Sequence, residues 1–104
     1  MSSYVLAYTG GGMPETEEEQ AAVMASWGAW MGGLGDAIVD GGNPFGPSAV
    51  VASDGAVSQG APSGLTGYTI ITADNLDTAI TQVKDCPVLA SGGAVEVYEV
   101  FPVM

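Results

Sequence analysis

The apolar residues of this chain recur with two different spacings, and each spacing predicts one kind of element. Apolar side chains at intervals of three, four and seven follow an acidic segment that opens at Pro14, and they predict a long helix that ends among the glycines at 32–35. A second apolar stripe predicts a helix over Asn75–Lys84, with Asp74 as its N-cap. Pro87 then ends that segment, because the residue before a proline disfavours helical geometry.

Short apolar or alternating runs predict the strands. They cover Ser3–Thr9, Ala37–Asp40, Gly67–Thr72 and Ala94–Val103. The Asp54-Gly55 pair, between β-prone runs at 48–53 and 56–59, predicts an additional hairpin. The resulting βαββαβ order predicts an α+β fold, a ferredoxin-like sandwich with two helices on one face of an antiparallel sheet. We expect a single domain over residues 1–104.

That architecture leaves the second face of the sheet without a cover. On a chain of 104 residues, an apolar sheet face of this kind is a surface that a partner normally buries. We therefore expect a homodimer in which two copies pack sheet face against sheet face.

The charge balance excludes several classes of partner. Twelve acidic residues and one basic residue, Lys84, give a formal net charge of −11. Binding to nucleic acid and attraction to anionic lipid both need several Lys or Arg side chains, so we expect neither nucleic acid nor a membrane as a partner. The sequence shows no signal-peptide pattern and no long apolar run, and we expect a cytoplasmic protein.

The side chains available for chemistry are few. The sequence has no His and a single cysteine, Cys86, which we interpret as a packed residue. These counts argue against a protein-held zinc ion and against a catalytic triad, and we expect neither a metal nor a cofactor. Asp40 stands before two glycines and is the candidate general base, with a turn-forming role as the alternative.

Aromatic residues supply a candidate binding site between the first predicted helix and the sheet. The candidate ligand-binding residues are Tyr8, Trp27, Trp30, Phe45 and Tyr68. Together they would form the walls of a pocket for a small apolar or aromatic metabolite. Packing of Trp27 and Trp30 in the core is the alternative interpretation.

Short segments along most of the chain carry a second signal. They are Tyr4-Val-Leu-Ala-Tyr8, the acidic start of the first helix, Trp27-Gly-Ala-Trp30, Leu34-Gly-Asp36, Leu65-Thr-Gly-Tyr-Thr-Ile-Ile71, Ala73-Asp-Asn-Leu-Asp-Thr-Ala79, Cys86-Pro87 and Gly93-Ala-Val-Glu-Val97. In this order they resemble the YCII-related domain family, also called the DGPF-domain family. The resemblance implies a ferredoxin-like fold and a dimer of the α/β-barrel type.

The resemblance carries chemistry only where the residues match. In that family a His and an Asp are proposed as an acid/base pair, but this chain has no His, and Gln59 stands where the family's Asp-Gly-Pro-Phe motif has its Asp. Three hypotheses stay open. The chain is a dimeric module that binds a small metabolite, a small cofactor-free isomerase or lyase with Asp40 as base, or an interaction module without a small ligand.

Overall fold

The computed structural model describes residues 2–10 and 15–101. Along these residues the elements are β1 (Ser2–Thr9), α1 (Glu17–Leu34), a 3-10 turn (Gly35–Ala37), β2 (Ile38–Asp40), β3 (Ala49–Val51), β4 (Val57–Gln59), β5 (Leu65–Ala73), α2 (Leu76–Val83), α3 (Pro87–Ala90) and β6 (Ala94–Glu99). The main sheet has the strand order β2-β5-β1-β6, and all its neighbouring strands are antiparallel. This is the order of two interlocked βαβ units, so the predicted ferredoxin-like α+β plan is confirmed.

Side-chain alternation along the two central strands decides what enters the core. Tyr4, Leu6 and Tyr8 of β1 face the same side of the sheet as Ile71 and Ala73 of β5. The helical half of the core consists of Trp30, Ala79, Val83, Cys86 and Val88. The described residues therefore form one hydrophobic core, between the helices and one face of the sheet.

The opposite face of the sheet, called the open face below, carries the side chains that alternate with the core. Its residues include Val5, Ala7, Tyr68, Ile70, Glu96 and Tyr98. Ala7 is buried by its neighbours on the central strand, whereas Val5, Tyr68 and Ile70 are only partly buried and Tyr98 is 55% exposed. The sheet thus has one well-packed face and one that retains exposed apolar surface.

At both ends of helix α1, local groups form hydrogen bonds with backbone groups of the terminal turns. The Thr16 hydroxyl accepts a hydrogen bond from the amide of Glu19 at 3.1 Å, and three glutamates occupy the first turn, where the helix dipole favours negative charge. The predicted opening at Pro14 lies outside the described residues. Gly35, at φ +55°, ends the helix, and its N–H donates to the Met31 carbonyl, which confirms the predicted end among the glycines.

Most predicted element ends lie close to the observed ones, and two sequence-based assignments need correction. Asn75, not Asp74, caps α2, because its extended backbone lets the Asn75 side-chain oxygen accept from the amide of Thr78 at 2.9 Å. The last strand ends at Glu99, the partner of Tyr4, rather than at Val103; one further backbone hydrogen bond follows it, from the amide of Val100 to the Ser3 carbonyl at 2.8 Å. The described chain shows Val100 and Phe101 outside the strand, and Val103 itself lies outside the described residues.

The predicted hairpin is present and stands apart from the main sheet. Within residues 2–10 and 15–101, β3 and β4 pair only with each other, and the Asp54 carboxylate accepts from the amide of Ala56 at 2.9 Å to hold the turn. The short helix α3, a single turn with Pro87 at its first position, was not predicted from the sequence. In the described part of the chain, every helix falls short of the length and apolarity needed to cross a bilayer.

Candidate functional site

A cavity of about 540 Å³ lies between α1 and one end of the sheet. Its walls come from β1, α1, the loop after β2, the start of β5 and α3. The lining consists of Tyr8, Met24, Trp27, Met31, residues 41–44, residues 66–69 and Val88. The walls are mostly apolar, and a cavity of this size accommodates a small organic molecule.

Two aromatic rings form one wall of the cavity. The rings of Tyr8 and Trp27 meet edge to face, with centroids 5.2 Å apart and an interplanar angle of 73°. Trp27 also contacts Trp30 edge to face at 5.7 Å. Because Tyr8 is buried on a central strand and Trp30 is buried in the core, Trp27 is held from both sides.

The loop after β2 forms another wall of the cavity, and backbone hydrogen bonds join this loop to β5. The main-chain carbonyl of Asn43 accepts a hydrogen bond from the amide of Tyr68 at 3.3 Å, and the amide of Phe45 donates to the Thr66 carbonyl at 2.9 Å. Gly42 adopts φ +77°, and a Cβ at this position would overlap the carbonyl oxygen of Tyr68. The wall therefore requires glycine at position 42.

The polar part of the lining comprises Asn43 and three hydroxyl groups, those of Tyr8, Thr66 and Thr69. The Tyr8 hydroxyl donates to Thr69 Oγ1 at 2.6 Å, and Thr69 Oγ1 donates to the Gly41 carbonyl at 3.0 Å. The Thr66 hydroxyl donates to the Tyr8 carbonyl at 3.2 Å. Burial raises the pKa of Tyr8 well above its ordinary value of 10.0, so the phenol stays protonated. Burial likewise raises the pKa of the neighbouring Cys86 thiol.

The predicted ligand-binding residues separate into three places. Tyr8 and Trp27 line the cavity. Trp30 does not; its indole N–H donates to the Gln82 carbonyl at 3.0 Å, and the residue borders a more open groove between α1 and the segment around α3. Tyr68 belongs to the cavity lining, but alternation along β5 places its ring on the open face, where it stacks on Phe45 at 5.7 Å.

Asp40, the predicted general base, lies at the end of β2 beside the open face. It is exposed, and its Oδ1 accepts from the amide of Gly42 at 2.9 Å, which is the turn-forming arrangement. The Tyr68 hydroxyl lies 3.5 Å from Oδ2, at the limit of hydrogen bonding. Asp40 is not part of the cavity lining, although its chain neighbours Gly41 and Gly42 are.

Several lining residues were missed by the sequence analysis. Thr69 is fully buried and central to the hydrogen-bonding chain, and Met24, Thr66 and Val88 complete the walls. One signal was available: Thr69 alternates in step with Ile71 and is therefore a polar residue at an inward position of a buried strand. Among the described residues, no group of three or more His, Cys, Asp or Glu side chains is placed to hold a metal ion.

Comparison with known proteins assigns the chain to a family. The profile of the YCII-related domain matches residues 4–104. The chain belongs to the YCII-related domain family. No similar protein was found among curated proteins.

A solved structure similar to this YCII-related protein is 5-chloro-2-hydroxyhydroquinone dehydrochlorinase from Burkholderia phenoliruptrix, in complex with 2,5-dihydroxybenzoquinone. The two chains are 19% identical, and the match covers 95% of this chain and 93% of the other, with a TM-score of 0.57. At this identity the likeness supports the ferredoxin-like fold of the YCII-related chain.

Proposed function

We propose that this YCII-related protein binds a small, planar, apolar or aromatic molecule in the cavity between α1 and the sheet. The observation that carries the proposal is the cavity itself, about 540 Å³ in volume, with the rings of Tyr8 and Trp27 on one wall. Aromatic and apolar walls with a few placed polar groups are typical of small-molecule sites. The structurally similar dehydrochlorinase is in complex with a ligand of matching shape, a single planar ring.

The negative charge of the protein favours neutral molecules as the proposed ligand. The net charge is −11, and the one basic side chain of the sequence, Lys84, borders the separate groove rather than the cavity. An anion entering the cavity would meet no basic side chain there and would be repelled at long range. The described lining also contains no carboxylate, which favours binding over acid/base chemistry at this site.

Titration calorimetry with hydroquinone, kept reduced under anaerobic conditions, tests the proposal. We expect saturable binding, and we expect Trp27→Leu to weaken it about fivefold, because one aromatic contact contributes on the order of 1 kcal/mol. Tyr98→Leu is the matched control, since it makes the same aromatic-to-leucine change at an exposed ring on the open face, outside the lining. Absence of binding by the wild-type protein, to hydroquinone and to a panel of neutral monocyclic aromatics, would refute the proposed function.

We propose in addition that the protein is a cytoplasmic homodimer joined through the open face. Val5, Ala7 and Ile70 give this face an apolar centre on two adjacent strands. Each copy carries a net charge of −11, so salt should strengthen the association by screening repulsion. Sedimentation velocity should show a dimer in 0.5 M salt that Ile70→Lys converts to a monomer. A wild-type monomer in high salt at hundreds of micromolar protein would contradict the dimer.

Catalysis with Asp40 as a general base is the second candidate function. The specific observation in its favour is the position of the Asp40 carboxylate, which lies 3.5 Å from the Tyr68 hydroxyl and next to two lining glycines. A chlorinated hydroxyhydroquinone is the substrate to offer first, because the structurally similar enzyme is named for one. Chloride release that Asp40→Asn abolishes would support this role, and chloride release that Asp40→Asn leaves unchanged would exclude it.

A further inference from the structure

The direction of each hydrogen bond at the polar end of the cavity is dictated by chemistry. The carbonyl of Gly41 can only accept, so the hydroxyl of Thr69 must donate to it. The proton of Thr69 is then used, so Thr69 Oγ1 must accept the proton of Tyr8. The Tyr8 oxygen is left with a lone pair and no free proton. All three members of this chain belong to the cavity lining.

The third lining hydroxyl follows the same pattern. Thr66 donates to the main-chain carbonyl of Tyr8, which also can only accept. The Cys86 thiol lies beside the Tyr8 hydroxyl and is a weak donor, so a ligand hydroxyl outcompetes it for the tyrosine oxygen. The cavity thus offers hydroxyl lone pairs while its hydroxyl protons are engaged within the protein.

We propose that Tyr8 is a specificity-determining residue whose oxygen accepts a hydrogen bond from the ligand. The cavity then takes neutral hydroxylated rings, of the phenol or hydroquinone class, in preference to rings that carry only acceptors. This inference rests on the proposed binding function and names its ligand class. The proposed ligand class differs from 2,5-dihydroxybenzoquinone, the ligand of the structural neighbour. The hydroxyl groups of that compound are vinylogous acids, which ionise and then have no proton to donate.

The choice of donor over acceptor has a simple energetic basis. A ligand hydroxyl pointed at Tyr8 gains one hydrogen bond, whereas a carbonyl or ether oxygen in the same place faces a lone pair and remains unsatisfied. One net hydrogen bond corresponds to about a fivefold to tenfold difference in affinity.

The test compares the affinities of hydroquinone and 1,4-dimethoxybenzene in four proteins by anaerobic calorimetry. The readout is the ratio of the two affinities, which cancels the different sizes of the probes when proteins are compared. In Tyr8→Phe we expect this ratio to shift about fivefold to tenfold towards the ether, because the accepting oxygen is gone. Tyr4→Phe is the matched control; its hydroxyl donates to Glu99 at 3.3 Å, away from the cavity, and the wild-type ratio should persist.

Thr69→Val gives an independent test of the hydrogen-bond direction. Without the Thr69 oxygen, the Tyr8 proton is released and can be donated to a ligand ether. The affinity for 1,4-dimethoxybenzene should therefore rise above its wild-type value. General damage to the site would lower this affinity, so a gain is diagnostic. Circular dichroism checks that each variant folds, and one folded variant of the two is enough to test the role of Tyr8.

The outcomes separate the two proposals. If the wild-type protein binds neither probe, the proposed function fails. If it binds both and the affinity ratio is the same in the wild type and in Tyr8→Phe or Thr69→Val, the binding function stands and the role of Tyr8 is overturned. A ratio that shifts equally in Tyr4→Phe would also overturn that role, since the effect would then come from packing.

Discussion

The two faces of the central sheet are built from the same strands but use their polar groups differently. On the helix side, the hydroxyls of Tyr8 and Thr69 are buried and joined in a directed chain that ends on a backbone carbonyl. On the open face, Tyr98 donates to Glu96 at 3.0 Å between two exposed side chains that can rearrange. Buried polar groups must be paired, so they have a fixed direction, whereas exposed ones exchange with water. Under the two proposals made above, selectivity for a ligand would come from the helix side, and association would use the open face.

The largest contrast is expected between two adjacent isoleucines of β5. Ile71 is fully buried in the core, and Ile71→Ala should lower the free energy of unfolding by about 2 to 5 kcal/mol. Ile70 is partly buried on the open face, and Ile70→Ala should cost the monomer less than about 1 kcal/mol. Urea unfolding followed by circular dichroism, at low protein concentration, measures both values.

Protein concentration sharpens this first contrast. If two copies cover the open face, the stability loss of Ile70→Ala should grow with protein concentration, whereas the loss of Ile71→Ala should not. Equal losses for the two variants at micromolar concentration would show that the faces do not differ in packing.

A second, smaller effect is expected at alkaline pH. Burial raises the pKa values of Tyr8 and Cys86 above their ordinary values of 10.0 and 9.0. The stability that comes from keeping both groups neutral is complete below those ordinary values and is lost as pH rises through the higher folded-state pKa values. The free energy of unfolding should therefore fall as pH rises from 8 towards 11, in measurements with urea. Tyr8→Phe should reduce the fall, and an undiminished fall in this variant would assign it to other groups.

The smallest effect on stability is expected at Asp40, where two variants distinguish the contribution of its charge from that of its hydrogen bond in the turn. Asp40→Asn keeps an oxygen for the amide of Gly42 and should leave stability nearly unchanged. Asp40→Ala removes that acceptor from an exposed turn and should cost about 0.5 to 1 kcal/mol. Thermal unfolding of both variants measures the difference. Equal destabilisation by Asn and Ala would mean that the charge, rather than the turn, is what position 40 contributes to stability.

Much of the fold could be predicted because alternation and helical spacing report directly on burial. The pattern of β1 and β5, and the stripe of α2 with its buried Ala79 and Val83, required no long-range information. The cap of α2 was misassigned because Asp74 and Asn75 are both good caps, and backbone geometry chose the second. The single turn α3 has no periodicity to detect.

The candidate site was only partly predictable because it depends on which face each residue occupies. The aromatic residues Tyr8 and Trp27 were expected between the first helix and the sheet, and their rings meet there. Aromatic content could not tell that Trp30 turns away from the cavity or that the Tyr68 ring lies across the sheet from Thr69. The loop wall depends on backbone contacts between residues 41–45 and β5, which no side-chain pattern encodes.

The hairpin of β3 and β4 gives the chain a natural place for modification. Its base is closed by the amide of Gly60, which donates to the Ser48 carbonyl at 2.8 Å, and by the Ser48 hydroxyl, which accepts from the amide of Ala61. Beyond these two hydrogen bonds, the described strands β3 and β4 pair with each other and not with the main sheet. The tip at Asp54-Gly55 can therefore accept an inserted tag or fluorophore without disturbing the main sheet or the cavity. A reporter placed there would leave both faces of the main sheet free for binding studies.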